Sequence, residues 1–278
     1  MGGAMARRAA AASLQVTAWS HPLEDARALE PDGVSVAQTA RKASTGAELV
    51  VTMAPDADAI ASFATGAQGF LGARPEIWVQ SATVGLEGCE RLAALAREAG
   101  IAFVDAPVLG TREPAELGEL VVLGSGPDEA LRRCMPFFGA IGTRTLRLGP
   151  VGAGTRLKLV ANDWIVGATA LLAETMALAD ALGVDGELFL DAIAGSAVDM
   201  GYAQVKGRMM LERTYPVSMP LAHAAKDARL AAAAADRHGL EHAVTRAAAA
   251  LLERAAAEGD PGDDMAAAFR VAARRRHR

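Results

Sequence analysis

Short apolar runs alternate with longer amphipathic stretches through the first half of the chain. Six runs read as strands, at 14–19, 48–53, 76–80, 101–105, 120–124 and 143–148. The second and fourth end near Pro55 and Pro107, residues that cannot donate to a ladder. Helical patterns fill the gaps, among them 88–99 and 128–138. Strands alternating with helices at this spacing predict a doubly wound, mostly parallel sheet.

The pattern changes at Gly149-Pro150-Val151-Gly152-Ala153-Gly154. Beyond it, one helical pattern runs without proline over 155–182, apolar on most sides, and Gly183 is placed to stop it. The rest reads as helix, with breaks near Gly195, Pro216, Gly239 and Pro261. The expected fold class is therefore α/β. A Rossmann-type doubly wound sheet occupies 1–150, and an all-α domain for substrate and dimerisation occupies 151–278, divided at the Gly/Pro-rich junction. One domain can hardly bury the long apolar helix alone, which points to a homodimer.

Composition narrows the class. Hydrophobic residues make up 51% and charged residues 22% of 278, enough for a sizeable core and outside the disordered range. A net charge of −5 argues against a general nucleic-acid footprint. The basic run Arg274-Arg275-Arg276-His277-Arg278 reads as a solvated end. Cys89 and Cys134 have neither metal-ligand nor disulfide-framework spacing and read as free thiols, with no metal expected. No apolar run reaches the length of about 18 residues that a membrane span needs. The alanines after Arg7 and Arg8 lack the leucine-rich core of a signal peptide. The expectation is a cytoplasmic enzyme acting on a small molecule, with neither nucleic acid nor membrane as partner.

Candidate chemistry follows from position. In an open parallel sheet, ligands bind beyond the carboxyl ends of the strands. Lys158 and Asn162 lie four apart on the long helix and share a face. They come just past the domain junction, where a cleft would form. A lysine there is either a snorkelling surface side chain or a functional one.

Six short segments bear on that choice: Met1-Gly2-Gly3-Ala4-Met5-Ala6, Val51-Thr52-Met53-Ala54-Pro55-Asp56, Ser81-Ala82-Thr83-Val84, Asp105-Ala106-Pro107-Val108-Leu109-Gly110-Thr111, Gly152 through Asn162, and Lys226-Asp227. In this order and spacing they resemble the β-hydroxyacid dehydrogenase family, the 3-hydroxyisobutyrate dehydrogenases and related aldehyde reductases with a 6-phosphogluconate-dehydrogenase-like C-terminal domain. The family's segments read G-x-G-x-M-G-x-x-M-A, M-L-P-D, S-T-V, D-A-P-V-S-G-G, G-x-G-x-x-x-K-L-x-x-N and K-D. The resemblance spans nearly the whole chain.

It implies hydride transfer between a nicotinamide cofactor and a CH–OH or C=O group of a small β-hydroxy acid or aldehyde. Lys158 would be the general acid/base, and Asn162 would orient substrate or lysine. Leu109, Gly110 and Thr111 would form the substrate-carboxylate loop. Gly2, Ala54, Pro55 and Thr83 would meet the cofactor, and Lys226 would contact it or close the site, with Asp227 a structural partner. The chemistry suits a lysine: its ammonium can protonate a developing alkoxide and stabilise its charge. In the oxidative direction it must shed that proton, so burial or a nearby cation has to lower a pKa of ~10.4.

The chain departs from the family pattern in three places. The family's serine is Leu109 and its second glycine is Thr111, which favours a bulkier or less polar carbonyl compound. Where an acid would bind the ribose of NAD, or an arginine the 2′-phosphate of NADP, the chain has Ser20-His21-Pro22. No carboxylate follows until Glu24, and Ser20 and His21 can donate to a phosphate, so NADP is favoured over NAD. The opening strand and first two glycines of the cofactor motif are not in the sequence. A misplaced start, a true truncation or a replacement strand would each account for that. Two alternatives stand beside the dehydrogenase: an imine reductase, which Lys158 argues against, and a non-catalytic dinucleotide-binding or interaction protein that has lost cofactor affinity.

Overall fold

The computed structural model describes residues 1–274; of the basic C-terminal run, residues 275–278 lie outside them. The chain divides into two compact units, Met1–Lys158 and Leu159–Arg278.

The first unit alternates helix and strand. Its strands are β1 (Thr17–Ala18), β2 (Ser35–Val36), β3 (Leu49–Thr52), β4 (Ile77–Gln80), β5 (Ala102–Asp105), β6 (Val108–Leu109), β7 (Leu120–Gly124) and β8 (Gly142–Arg147). Its helices are α1 (Gly2–Ala11), α2 (Glu24–Arg27), α3 (Ala40–Ser44), α4 (Ala57–Ala64), α5 (Gly85–Glu98), α6 (Arg112–Leu117) and α7 (Asp128–Ile141). All six expected strands are present, the first shortened to two residues. The expected mostly parallel, doubly wound arrangement is present, its ladders falling in three pieces, β1-β2, β3-β4-β5 and β6-β7-β8. β1 bonds only β2 and β3 only β4, so among the described residues no ladder joins the first two pieces. The third piece also contains one antiparallel pair, β6 with β7.

Strand alternation builds two cores. Ile77 and Val79 of β4 point into a cluster with Val104, Leu120, Val122, Leu131 and Phe138. Trp78, between them, points to the opposite face. There it stacks edge-on against Phe70 at 4.8 Å and Phe103 at 5.2 Å, and its indole N–H donates to Thr52 Oγ1 at 2.9 Å. Burial on both faces explains why β4 reads as an unbroken apolar run. Asp56 then starts α4 by accepting the Ala59 N–H at 2.8 Å, the usual N-cap device.

Helix α8 (Ala153–Leu182) begins in the first unit and continues into the second. The second unit adds α9 (Gly186–Ile193), α10 (Gly201–Glu212), α11 (Leu221–Arg237), α12 (Ala243–Glu258) and α13 (Phe269–Ala272). Its core gathers Val166, Met176, Met210, Leu221, Leu252, Met265 and Phe269, together with the alanine faces of α11 and α12. A buried ion pair, Lys206 Nζ to Asp264 Oδ1 at 2.6 Å, lies inside the unit.

By length and composition α8 is long and apolar enough to cross a membrane, which corrects the expectation that no such stretch exists. Asn162, Asp163 and Glu174 interrupt the apolar run, but a helical window averages across them. Only 33% of that window is buried. Val160, Trp164, Leu171, Leu178 and Leu182 recur at helical spacing, each more than half exposed.

Candidate active site

Within the first unit, the expected cofactor residues follow the carboxyl ends of parallel-paired strands. Ser20 and His21 lie past β1, Ala54 and Pro55 past β3, and Thr83 past β4 just before α5. Gly2 is the first residue of α1; a Cβ placed there would lie 3.4 Å from Met53 Cβ, so α1 starts beside the end of β3. His21 is exposed. The Ser20 hydroxyl already donates to the Pro22 carbonyl at 2.6 Å. Trp19, just before it, meets Phe63 of α4 edge-on at 4.9 Å and lines a cavity with Gln38, Thr39 and Gln68.

Ser81, at the carboxyl end of β4, has a buried hydroxyl oxygen with no hydrogen-bond partner in the protein. Leaving such a group unmet costs about 1–3 kcal/mol. A polar ligand group seated at the strand end would meet it, so the residues here fit a dinucleotide. Among the described residues no group of three metal-ligating side chains comes together.

Leu109 ends β6, half-buried opposite Val121. Gly110 turns the chain at φ +121°, and a Cβ there would lie 2.7 Å from Leu120 Cδ2. Both the backbone and the space require glycine at this position. Thr111, half-buried, precedes α6.

The start of α8 is gripped by buried polar groups that the sequence pattern did not single out for a role. The Asp105 carboxylate, at the end of β5, accepts from Thr155 N at 2.8 Å and Thr155 Oγ1 at 2.7 Å. Ser125 Oγ lies 3.1 Å from the same carboxylate and accepts the Gly154 N–H at 2.9 Å. Burial pushes the Asp105 pKa up, and the Thr155 and Ser125 bonds pull it partly back. Burial, followed by the Asp105 charge, pushes the neighbouring Cys89 thiol up to about 12.

Lys158 follows one turn into α8, half-buried, and Asn162 one turn further. In the second unit Asn162 is 1% exposed, and its amide donates to Asp227 Oδ2 at 2.6 Å. Lys226 Nζ lies 3.1 Å from the other Asp227 oxygen. Asp227 thus joins two of the expected site residues.

The family described as the NAD binding domain of 6-phosphogluconate dehydrogenase matches residues 1–149. The family described as NAD-binding of NADP-dependent 3-hydroxyisobutyrate dehydrogenase matches residues 152–272. Glyoxylate/succinic semialdehyde reductase 1 of Arabidopsis thaliana is 28% identical over 261 residues, 93% of this chain and 90% of the relative. A solved structure of Mycobacterium tuberculosis 3-hydroxyisobutyrate dehydrogenase with L-serine superposes with a TM-score of 0.87 at 24% identity, covering 98% of this chain and 95% of that one. A reductive aminase of Aspergillus terreus with NADPH and ethyl levulinate superposes at 0.64 and 23% identity, covering 98% and 95%.

Proposed function

Since this chain belongs to the β-hydroxyacid dehydrogenase family and is an NAD(P)-dependent oxidoreductase, we propose that it reduces the carbonyl of a short aldehyde acid with Lys158 as proton donor. Asn162 carries the proposal. It is a polar side chain almost without solvent contact, fixed to Asp227, on the α8 face it shares with Lys158.

The residues divide the work. The nicotinamide, when bound, supplies and accepts the hydride. Lys158 delivers a proton to the developing alkoxide and stabilises its charge; in oxidation it takes the proton back. Asn162, held by Asp227, orients the lysine or the substrate. The N–H groups of Gly110 and Thr111 hold the substrate carboxylate, and Leu109 lies against its methylenes. Gly2, Ser20, His21, Ala54, Pro55, Ser81 and Thr83 hold the dinucleotide, and Lys226 contacts it or closes the site. With no carboxylate after β1 until Glu24, NADP is preferred to NAD.

Leu109 in the carboxylate loop favours succinic semialdehyde over glyoxylate, the two compounds for which the plant relative is named. The outward stripe of α8 is covered by a second copy of the chain, giving a dimer. Fluorescence titration with NADPH and NADH, then NADPH consumption with both aldehydes, tests the proposal. Tighter NADPH binding and faster succinic semialdehyde reduction are expected. Absence of binding to either cofactor would end it. Turnover of a ketone–amine mixture without turnover of either aldehyde would move the assignment to imine reduction.

A further inference from the structure

Asp105 is wholly buried, at 0% exposure, yet it is hydrogen-bonded to a helix fifty residues away in sequence. The first turn of any helix leaves N–H groups without intrahelical partners. In α8, Asp105 takes Thr155 N, and Ser125 takes Gly154 N. These partners come from the ends of β5 and β7, which are themselves bonded through Asp105 N to Ser125 O at 2.9 Å and Ser125 N to Asp105 O at 2.8 Å. Gly154 allows the approach. A Cβ there would lie 2.2 Å from the Leu123 carbonyl oxygen and 2.9 Å from that of Asp105. The turn therefore rests on the strand ends without slack.

Lys158 lies three residues past Thr155, about 4.5 Å along the helix axis. We infer that Asp105, acting through Thr155 and together with Ser125, is a positioning residue that fixes the height and rotation of the first turn of α8 and so aims the Lys158 ammonium. The inference rests on Lys158 as proton donor. A carboxylate suits the place because it offers enough lone pairs for both Thr155 donors and for Ser125. It also meets the partial positive charge of the helix start. Aim matters because a misplacement of about 1 Å can cost on the order of 10² in rate.

Thr155→Val keeps the side-chain shape and removes the Oγ1 bond, while Thr155→Ser restores it; Asp105→Asn keeps size and removes charge. The chain has only four lysines, Lys42, Lys158, Lys206 and Lys226, so Lys158 can be followed by NMR in lysine-labelled protein and assigned by its loss in Lys158→Arg. In NADPH-dependent reduction of succinic semialdehyde, Thr155→Val and Asp105→Asn should lower kcat by about tenfold or more with KM for NADPH nearly unchanged. Both should move the Lys158 side-chain resonance, and Thr155→Ser should restore kcat and resonance. Parental kcat and an unmoved resonance in Thr155→Val would overturn the inference, as would a loss that Thr155→Ser does not recover. Failure of the Lys158 assignment shows separately, as parental turnover in Lys158→Ala. The resonance in Thr155→Val still decides the clamp in that case.

Discussion

The Asn162 amide donates to the Asp227 carboxylate across 2.6 Å, joining α8 to α11 through two side chains that are both almost fully buried. Lys226 holds the other carboxylate oxygen at 3.1 Å. Asn162→Ala removes one partner and leaves a buried charge under-satisfied, at a cost of about 1–3 kcal/mol. Asn162→Asp sets two carboxylates face to face and should cost more. Chemical denaturation measures both; parental stability in Asn162→Ala would show that the bond contributes nothing.

A second buried charge is built differently. Asp264 accepts from Lys206 Nζ, Ser218 N, Ser218 Oγ, Met219 N and Ala266 N. Removing Lys206 leaves four donors on the carboxylate; removing the carboxylate leaves a buried ammonium facing one hydroxyl. Asp264→Asn should therefore cost about 3–5 kcal/mol, and Lys206→Met less. Burial pushes the Asp264 pKa up, but the Lys206 and hydrogen-bond contributions outweigh it, so the pKa is held below the ordinary value. Its stabilisation is then full above the unfolded aspartate value near ~3.9 and is lost as pH falls through the lower folded value. Unfolding followed below about pH 4 should show a steeper acid loss in the parent than in Asp264→Asn.

Burial pushes both thiols, Cys89 and Cys134, up to about 12. A thiol reagent at about pH 8 acts on the thiolate, so neither cysteine should react in the native protein and both should react in denaturant. Rapid native labelling of either would contradict the burial of Cys89 on α5 and Cys134 on α7.

The outward stripe of α8 sets a further test. Trp164→Glu and Leu171→Glu put charge at two of its most exposed apolar positions. Light scattering should find a dimer for the parent and a monomer for each variant; an unchanged mass would remove the stripe from the interface.

What was legible in the sequence followed the range of each interaction. The strand at 76–80 was readable because Ile77, Trp78 and Val79 are all buried, and the pair Lys158 and Asn162 because four-residue spacing is a property of one helix. Ser35–Val36 was not, since two residues leave no period to detect. The Asp105–Thr155 bond spans fifty positions, and no local window contains both partners. The breaks between sheet pieces are likewise a matter of pairing, which composition and periodicity do not encode.

The central claim is that Lys158 moves the proton. Steady-state kinetics of Lys158→Ala with NADPH and succinic semialdehyde test it most directly. The expected result is a fall in kcat of at least about 10²-fold, the usual size of a general acid–base contribution, with NADPH binding by fluorescence close to parental. Near-parental turnover in that variant would contradict the claim.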